Sequence, residues 1–251
     1  MRRIHRLTFA LPILAAAGLM SALPPVSPAA AQAPGSGLVP HVHGPGVQTN
    51  SHWSGYVTTS GNDTSVQASW VEPSVDCAQR GDVLFWVGLG GYGNNVPLTQ
   101  DGTYVQCQRG RASYSDWWET WPCNDIQQFN DDVEPGDNIT ATVTLTGNNR
   151  YRLTVSDKTR GWTESPTVTG CNGGSTASAE VVTETPSYGS QFADLPDFGT
   201  VTYTNASVNS SALGSSNPFP IDMARGSDHM DSTSALSSGG TSFGNTWLAG
   251  S

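Results

Sequence analysis

At 251 residues the chain has room for one sizeable domain, and it is acidic, with 11 Lys and Arg against 21 Asp and Glu and a formal charge of −10. Charged residues make up only 13% of it, and Lys158 is its one lysine. Such a surface repels nucleic acid and anionic membrane, so neither is expected as a partner.

Arg2, Arg3 and Arg6 open the chain, a mostly apolar run follows from Leu7 to Leu23, and Ala29-Ala30-Ala31 and Ala33 supply small residues for cleavage. Residues 1–33 therefore read as a secretory signal peptide. The run is nearly long enough to span a bilayer, but Pro12, Pro24 and Pro25 argue for cleavage rather than anchoring. Cleavage leaves eight cations against 21 acids. Acid unfolds proteins chiefly by protonating paired carboxylates, and a chain with few cations has few pairs to lose. An acid-tolerant, secreted, monomeric protein is expected.

Residues 34–50 form a Gly/Pro-rich linker or short pro-segment. His41 and His43 stand there as neighbours, but no third ligand is near, so no metal or other cofactor is expected. Residues 51–251 read as one all-β domain. Val83–Leu89 is a continuous apolar run, as in a strand buried on both faces. Val96–Gly102 is a strand-like segment that carries Gln100. In Ser113–Trp121, a period of two places Trp117, Glu119 and Trp121 on one side, with Asp116 and Trp118 on the other. Asn138–Thr146 alternates, with Ile139, Ala141, Val143 and Leu145 on one face. Gly147-Asn148-Asn149 is a turn signal, and Tyr151, Leu153 and Val155 resume the alternation as a returning hairpin arm. Ala179–Glu184 groups Glu180, Val182 and Glu184 on one face, and Thr200–Asn205 alternates again. Strand after strand with no long amphipathic helix predicts an antiparallel β-sandwich of two bent, concanavalin-like sheets.

Two reactive side chains stand out. A glutamine and a glutamate across a cleft can hydrolyse a peptide bond without serine, cysteine or metal, and Gln100 and Glu184 are the candidates. The tryptophans around Glu119 suit either a binding floor or the packing between sheets. Ser54, within Trp-Ser-Gly, is not in a Gly-x-Ser-x-Gly nucleophile elbow, and no His-Glu-x-x-His occurs. His52 and His229 have no triad context. Four cysteines in an exported chain, Cys77, Cys107, Cys123 and Cys171, imply two disulfides. Three connectivities are open, and closure of a local loop favours Cys107 with Cys123, leaving Cys77 with Cys171.

Several segments in this order resemble the glutamic peptidases, or eqolisins, a family of secreted acid proteases. They are Trp53-Ser-Gly-Tyr-Val57, Phe85-Trp-Val-Gly-Leu89, Leu98-Thr-Gln-Asp-Gly102, Tyr114–Trp121, Val133–Asp137, Ala179–Glu184 and Asp197–Ala206. The resemblance implies a sandwich of two bent sheets and places the family's catalytic glutamine on Gln100 and its glutamate on Glu184. It places supporting or cleft-lining roles on Trp86 and Glu119. Departures from the fungal pattern are Gly90 for an aspartate, Tyr104 near an expected acid, Trp121 for a tyrosine and Val181 for a tryptophan. The implied reaction is pepstatin-insensitive endoproteolysis of polypeptides, with Glu184 as a carboxylate base on water and Gln100 stabilising the oxyanion. The competing reading is a carbohydrate-binding or glycoside-hydrolase sandwich, with Glu119 and Glu184 as its acid pair.

Overall fold

The computed structural model describes residues 47–250. The expected signal peptide, most of the expected linker, and His41 and His43 lie outside the described residues. Along the chain run β1 (Gln48–Asn50), β2 (Trp53–Thr58), β3 (Ser65–Val71), β4 (Gly81–Gly90), β5 (Leu98–Gln108), β6 (Arg111–Trp121) and β7 (Gln127–Gln128). Then come β8 (Asn138–Gly147), β9 (Arg150–Asp157), β10 (Trp162–Glu164), β11 (Thr167–Thr169), β12 (Ala179–Glu184), β13 (Ser187–Tyr188) and β14 (Gln191–Phe192). The last are β15 (Thr200–Val208), β16 (Ser211–Ala212), β17 (Phe219–Arg225), β18 (Asp228–Thr233) and β19 (Phe243–Trp247). Among the described residues the helical content is two short 3-10 turns. Residues 48–50, grouped with the linker on sequence, pair in parallel with β17.

Two sheets form the sandwich. The front sheet runs β7-β6-β5-β4-β12-β2-β17-β18-β19-β15, and the back sheet runs from β10 and β11 through β9-β8-β3-β15-β16. The strand β15 belongs to both. Thr200–Tyr203 pair with β19, the register shifts after Thr204, and Ser207 and Val208 pair with β3. Asn205 sits at that shift with φ +52°, the left-handed conformation of a bulge that bends a strand.

The alternations expected from sequence hold. In β8 and β9, Ile139, Ala141, Val143, Tyr151, Leu153 and Val155 point into the inter-sheet core. β4 is buried on both faces: Val83, Phe85, Val87 and Leu89 fill that core, while Leu84 and Trp86 join a second apolar cluster on the outer side of the front sheet. This second cluster, with Trp53, Val57, Leu98, Trp117, Val182 and Ile221, makes a floor. Lys158 is exposed in the turn after β9 and borders a Thr-lined groove on the back sheet.

The disulfides differ from the expected pairing. They are Cys77–Cys107 and Cys123–Cys171, with Cα separations of 5.1 and 5.5 Å. The reason is the register of the β5–β6 hairpin, where Cys107 lies opposite Ala112 near the turn and Leu98 lies opposite Trp121 at the open end. Cys123 follows Trp121, so at about 3.4 Å per residue it lies roughly 30 Å from Cys107. A disulfide requires Cα atoms within about 7 Å. Proximity in sequence misleads because the two strands of a hairpin run in opposite directions.

Candidate active site

A cleft of about 580 Å³ opens on the apolar floor of the front sheet. It brings together Gln100, Trp117, Glu119, Trp121 and Glu184, five of the residues singled out on sequence. Trp86 is fully buried in the floor cluster beneath. Strand alternation accounts for the arrangement. In β6, Trp117, Glu119 and Trp121 face the cleft, while Asp116 is buried on the other face and Trp118 packs against the inter-sheet core. In β12, Glu184 faces the cleft while Thr183 faces inward.

Gln100 and Glu119 are direct partners in the register of β5 and β6, and the Gln100 Nε2 donates to Glu119 Oε2 at 2.6 Å. Gln100 is 4% exposed, and its Oε1 has no protein partner. Glu184 stands on the other side of the floor. It pairs with Leu84, whose β5 partner is Tyr104, whereas Gln100 pairs with Gly88. No hydrogen bond joins Glu184 to Gln100. Between their rows lie Trp86, Gly102 and Trp117, in register with one another. A Cβ on Gly102 would lie 2.1 Å from the Phe85 carbonyl oxygen, so only glycine lets β4 and β5 approach there. The glycine of the Leu-Thr-Gln-Asp-Gly segment is thereby explained.

Both carboxyls favour the neutral form. Burial pushes Glu184 up to about 8, and the nearby Glu119 charge adds to the rise; the indoles of Trp53 and Trp86 oppose it. Burial also pushes Glu119 up to about 7, opposed by the hydrogen bond from Gln100 and reinforced by Asp125. Glu184 is the least buried residue of its strand, and it is the point where that strand meets the cleft. The indole nitrogen of Trp117 is buried without a hydrogen-bond partner, as is Gln100 Oε1. Such a set of unpaired polar atoms around two uncharged acids suits a ligand rich in carbonyl and amide groups.

Two wall residues went unassigned on sequence. Trp53 is paired with Glu184 across β2 and β12, although 131 positions separate them. His52 stacks on Phe192 with centroids 4.9 Å apart, and burial, together with Arg225, depresses it to about 4. His52 immediately precedes β2 and Trp53 opens it, and their place beside Glu184 follows from the long-range pairing of β2 with β12, which has no local sequence signal.

The model of the Peptidase A4 family matches residues 51–243. The chain belongs to this family of glutamic peptidases. Aspergillopepsin-2 of Aspergillus niger is 27% identical over 210 residues, covering 74% of each chain. Scytalido-glutamic peptidase, solved with a transition-state analogue inhibitor, superposes with a TM-score of 0.70 at 21% identity, over 80% of this chain and all of that one. SCP-B, an eqolisin solved with the tripeptide Ala-Ile-His, gives 0.66 at 22% identity over the same shares. The antiparallel β-sandwich expected from the strand pattern is thus the fold of this chain, and it is the fold of these solved peptidases.

Proposed function

We propose that the chain is a secreted endopeptidase, active at acidic pH, in which Glu184 transfers protons and Gln100 stabilises the negative charge developing on the scissile carbonyl oxygen. The observation that carries this reading is the shared cleft: Gln100 anchored by Glu119 on one side, Glu184 on the other, and a glycine between them. Family membership and the peptide-like ligands of the solved relatives support polypeptides as substrate, over the carbohydrate reading of the Glu119 and Glu184 pair. Two disulfides suit an oxidising, extracellular setting.

The chemistry follows from the protonation state. Sequence alone suggested a carboxylate base, but burial holds the proton on Glu184 throughout the acidic range. The neutral carboxyl then works at both oxygens. Its O–H gives a proton to the scissile carbonyl oxygen while its other oxygen takes one from the attacking water, producing a gem-diol. In the second step Glu184 protonates the amide nitrogen, the C–N bond breaks, and a diol hydroxyl returns a proton to Glu184. The free amide hydrogen of Gln100 donates to the oxygen that was the carbonyl, a role worth about 2.7–4 kcal/mol for a single donor. Gln100 suits it because its amide does not titrate.

The test is hydrolysis of denatured casein between pH 2 and 8, with pepstatin present, by the parent and Glu184→Gln. Cleavage that falls as pH rises through the Glu184 range and vanishes in a folded Glu184→Gln protein is expected. Undiminished cleavage by that variant would refute the assignment.

A further inference from the structure

Behind β12, on the face away from the cleft, lies a chain of buried polar groups that the reaction above does not use. Ser54, Thr183, Tyr203, Asp231 and Asn245 are all fully buried, and they come from β2, β12, β15, β18 and β19. Their hydrogens can be assigned by counting. Asn245 Nδ2 spends both of its hydrogens, on Ser54 Oγ at 3.1 Å and on Thr183 Oγ1 at 3.0 Å. The Tyr203 hydroxyl spends its single hydrogen on the Val182 carbonyl at 2.8 Å. Thr183 must therefore donate to Tyr203, 3.0 Å away. Ser54 is left with one hydrogen and two acceptors in reach, a carboxylate oxygen of Asp231 and the Thr183 carbonyl at 3.4 Å.

That carbonyl belongs to the peptide unit joining Thr183 to Glu184. If Asp231 is neutral, its O–H can donate to Ser54, and the serine proton turns to the Thr183 carbonyl. If Asp231 is ionised, it claims the serine proton and the carbonyl loses this donor. We propose that Asp231 and Ser54 are positioning residues for Glu184, switching a hydrogen bond on its peptide unit according to whether Asp231 carries a proton. The inference rests on Glu184 as the proton-transfer group.

The surroundings of Asp231 favour the bonded arrangement under acidic conditions. Burial raises its pKa well above the usual range, and the charge of Asp222 on β17 raises it further. The Ser54 hydroxyl and the backbone N–H groups of Ser232 and Thr246 act in the opposite sense, and Tyr203 faces it from β15. Asp231 Oδ1 has no hydrogen-bond partner. Acidic solution thus supplies both the neutral Glu184 and the hydrogen bond behind it.

The experiment compares kcat and KM from pH 3 to 8 for the parent, Ser54→Ala, Asp231→Asn and Glu184→Gln, with circular dichroism at each pH. Ser54→Ala should lose kcat by about tenfold or more through misplacement of Glu184, with KM little changed. Asp231→Asn keeps a donor toward Ser54 at every pH. It should retain the acidic kcat, while the alkaline limb of log kcat falls less steeply than in the parent, as one ionisation replaces two. Parent-like kcat in Ser54→Ala, or a parent-like limb in Asp231→Asn, would overturn the proposal while an inactive Glu184→Gln left the dyad standing. If Ser54→Ala fails to fold, the limb of Asp231→Asn decides alone. An active Glu184→Gln would instead strike at the dyad itself.

Discussion

Gln100 has one amide hydrogen committed to Glu119 before any substrate arrives, which fixes the direction of the other. Gln100→Ala should therefore lower kcat by about 10²–10³-fold, the loss typical of a deleted oxyanion donor, and leave KM nearly unchanged. Steady-state kinetics at acidic pH checks this. Glu119 has a second effect, since its charge is one of the causes raising Glu184. Glu119→Gln removes the charge but keeps an acceptor for Gln100. The Glu184 pKa should then fall, the neutral carboxyl should be lost at lower pH, and the alkaline limb of kcat/KM should move to lower pH. A limb that stays in place would show that Glu119 acts on Gln100 alone. At this scale the sequence was informative where residues alternate within one strand, as with Trp117, Glu119 and Trp121. It was silent on Trp53 beside Glu184, because that contact depends on which strands lie next to each other.

The β8–β9 hairpin and the doubly buried β4 were legible because their signals are local: alternation, a turn, an apolar run. The disulfides and the passage of β15 between sheets were not, because both follow from register and curvature summed over several strands. The pairing found has a functional consequence. Cys123 lies between Trp121 and the cleft residues Asp125 and Ile126, so its bond to Cys171 anchors the rim of the cleft. Cys77–Cys107 ties the segment leading into β4 to the far end of β5, and neither cysteine lines the cleft. Replacing either pair by serines should cost about 4 kcal/mol by loop-closure entropy, measured by denaturant titration. Only the Cys123/Cys171 double variant should also raise KM. Equal KM values in the two variants would show that the rim holds its shape without the bond.

For the whole molecule, buried carboxyls set the response to pH. Burial pushes Glu72 up to about 7, against hydrogen bonds from Trp70 and Thr103, and lifts Asp101, Glu180 and Asp231 well above the usual range. In the unfolded chain such groups titrate near pH 4. Below that pH both states hold the protons and the stability is fully present. As pH rises the unfolded chain releases protons that the native state keeps, so stability is lost up to the raised pKa values. Asp137, depressed by the Arg160 guanidinium, and His52, depressed by burial, have the opposite sign, but they are two groups against six once Glu119 and Glu184 are included. Melting temperature should therefore fall between pH 4 and pH 8. A rise over that interval would show that the buried acids are ionised in the native state. The scarcity of cations supports the expectation of acid tolerance, whereas the predicted loss of stability toward alkali has no sequence signal, because it depends on which carboxyls are enclosed.

The solitary Lys158 gives the molecule a chemical handle. It is exposed in the turn after β9, on the sheet opposite the cleft. Apart from the α-amine at the chain start, it is the protein's one target for an amine-reactive linker. Coupling through it would tether the enzyme to a solid support by its back, with every attached copy presenting the cleft to the passing solution.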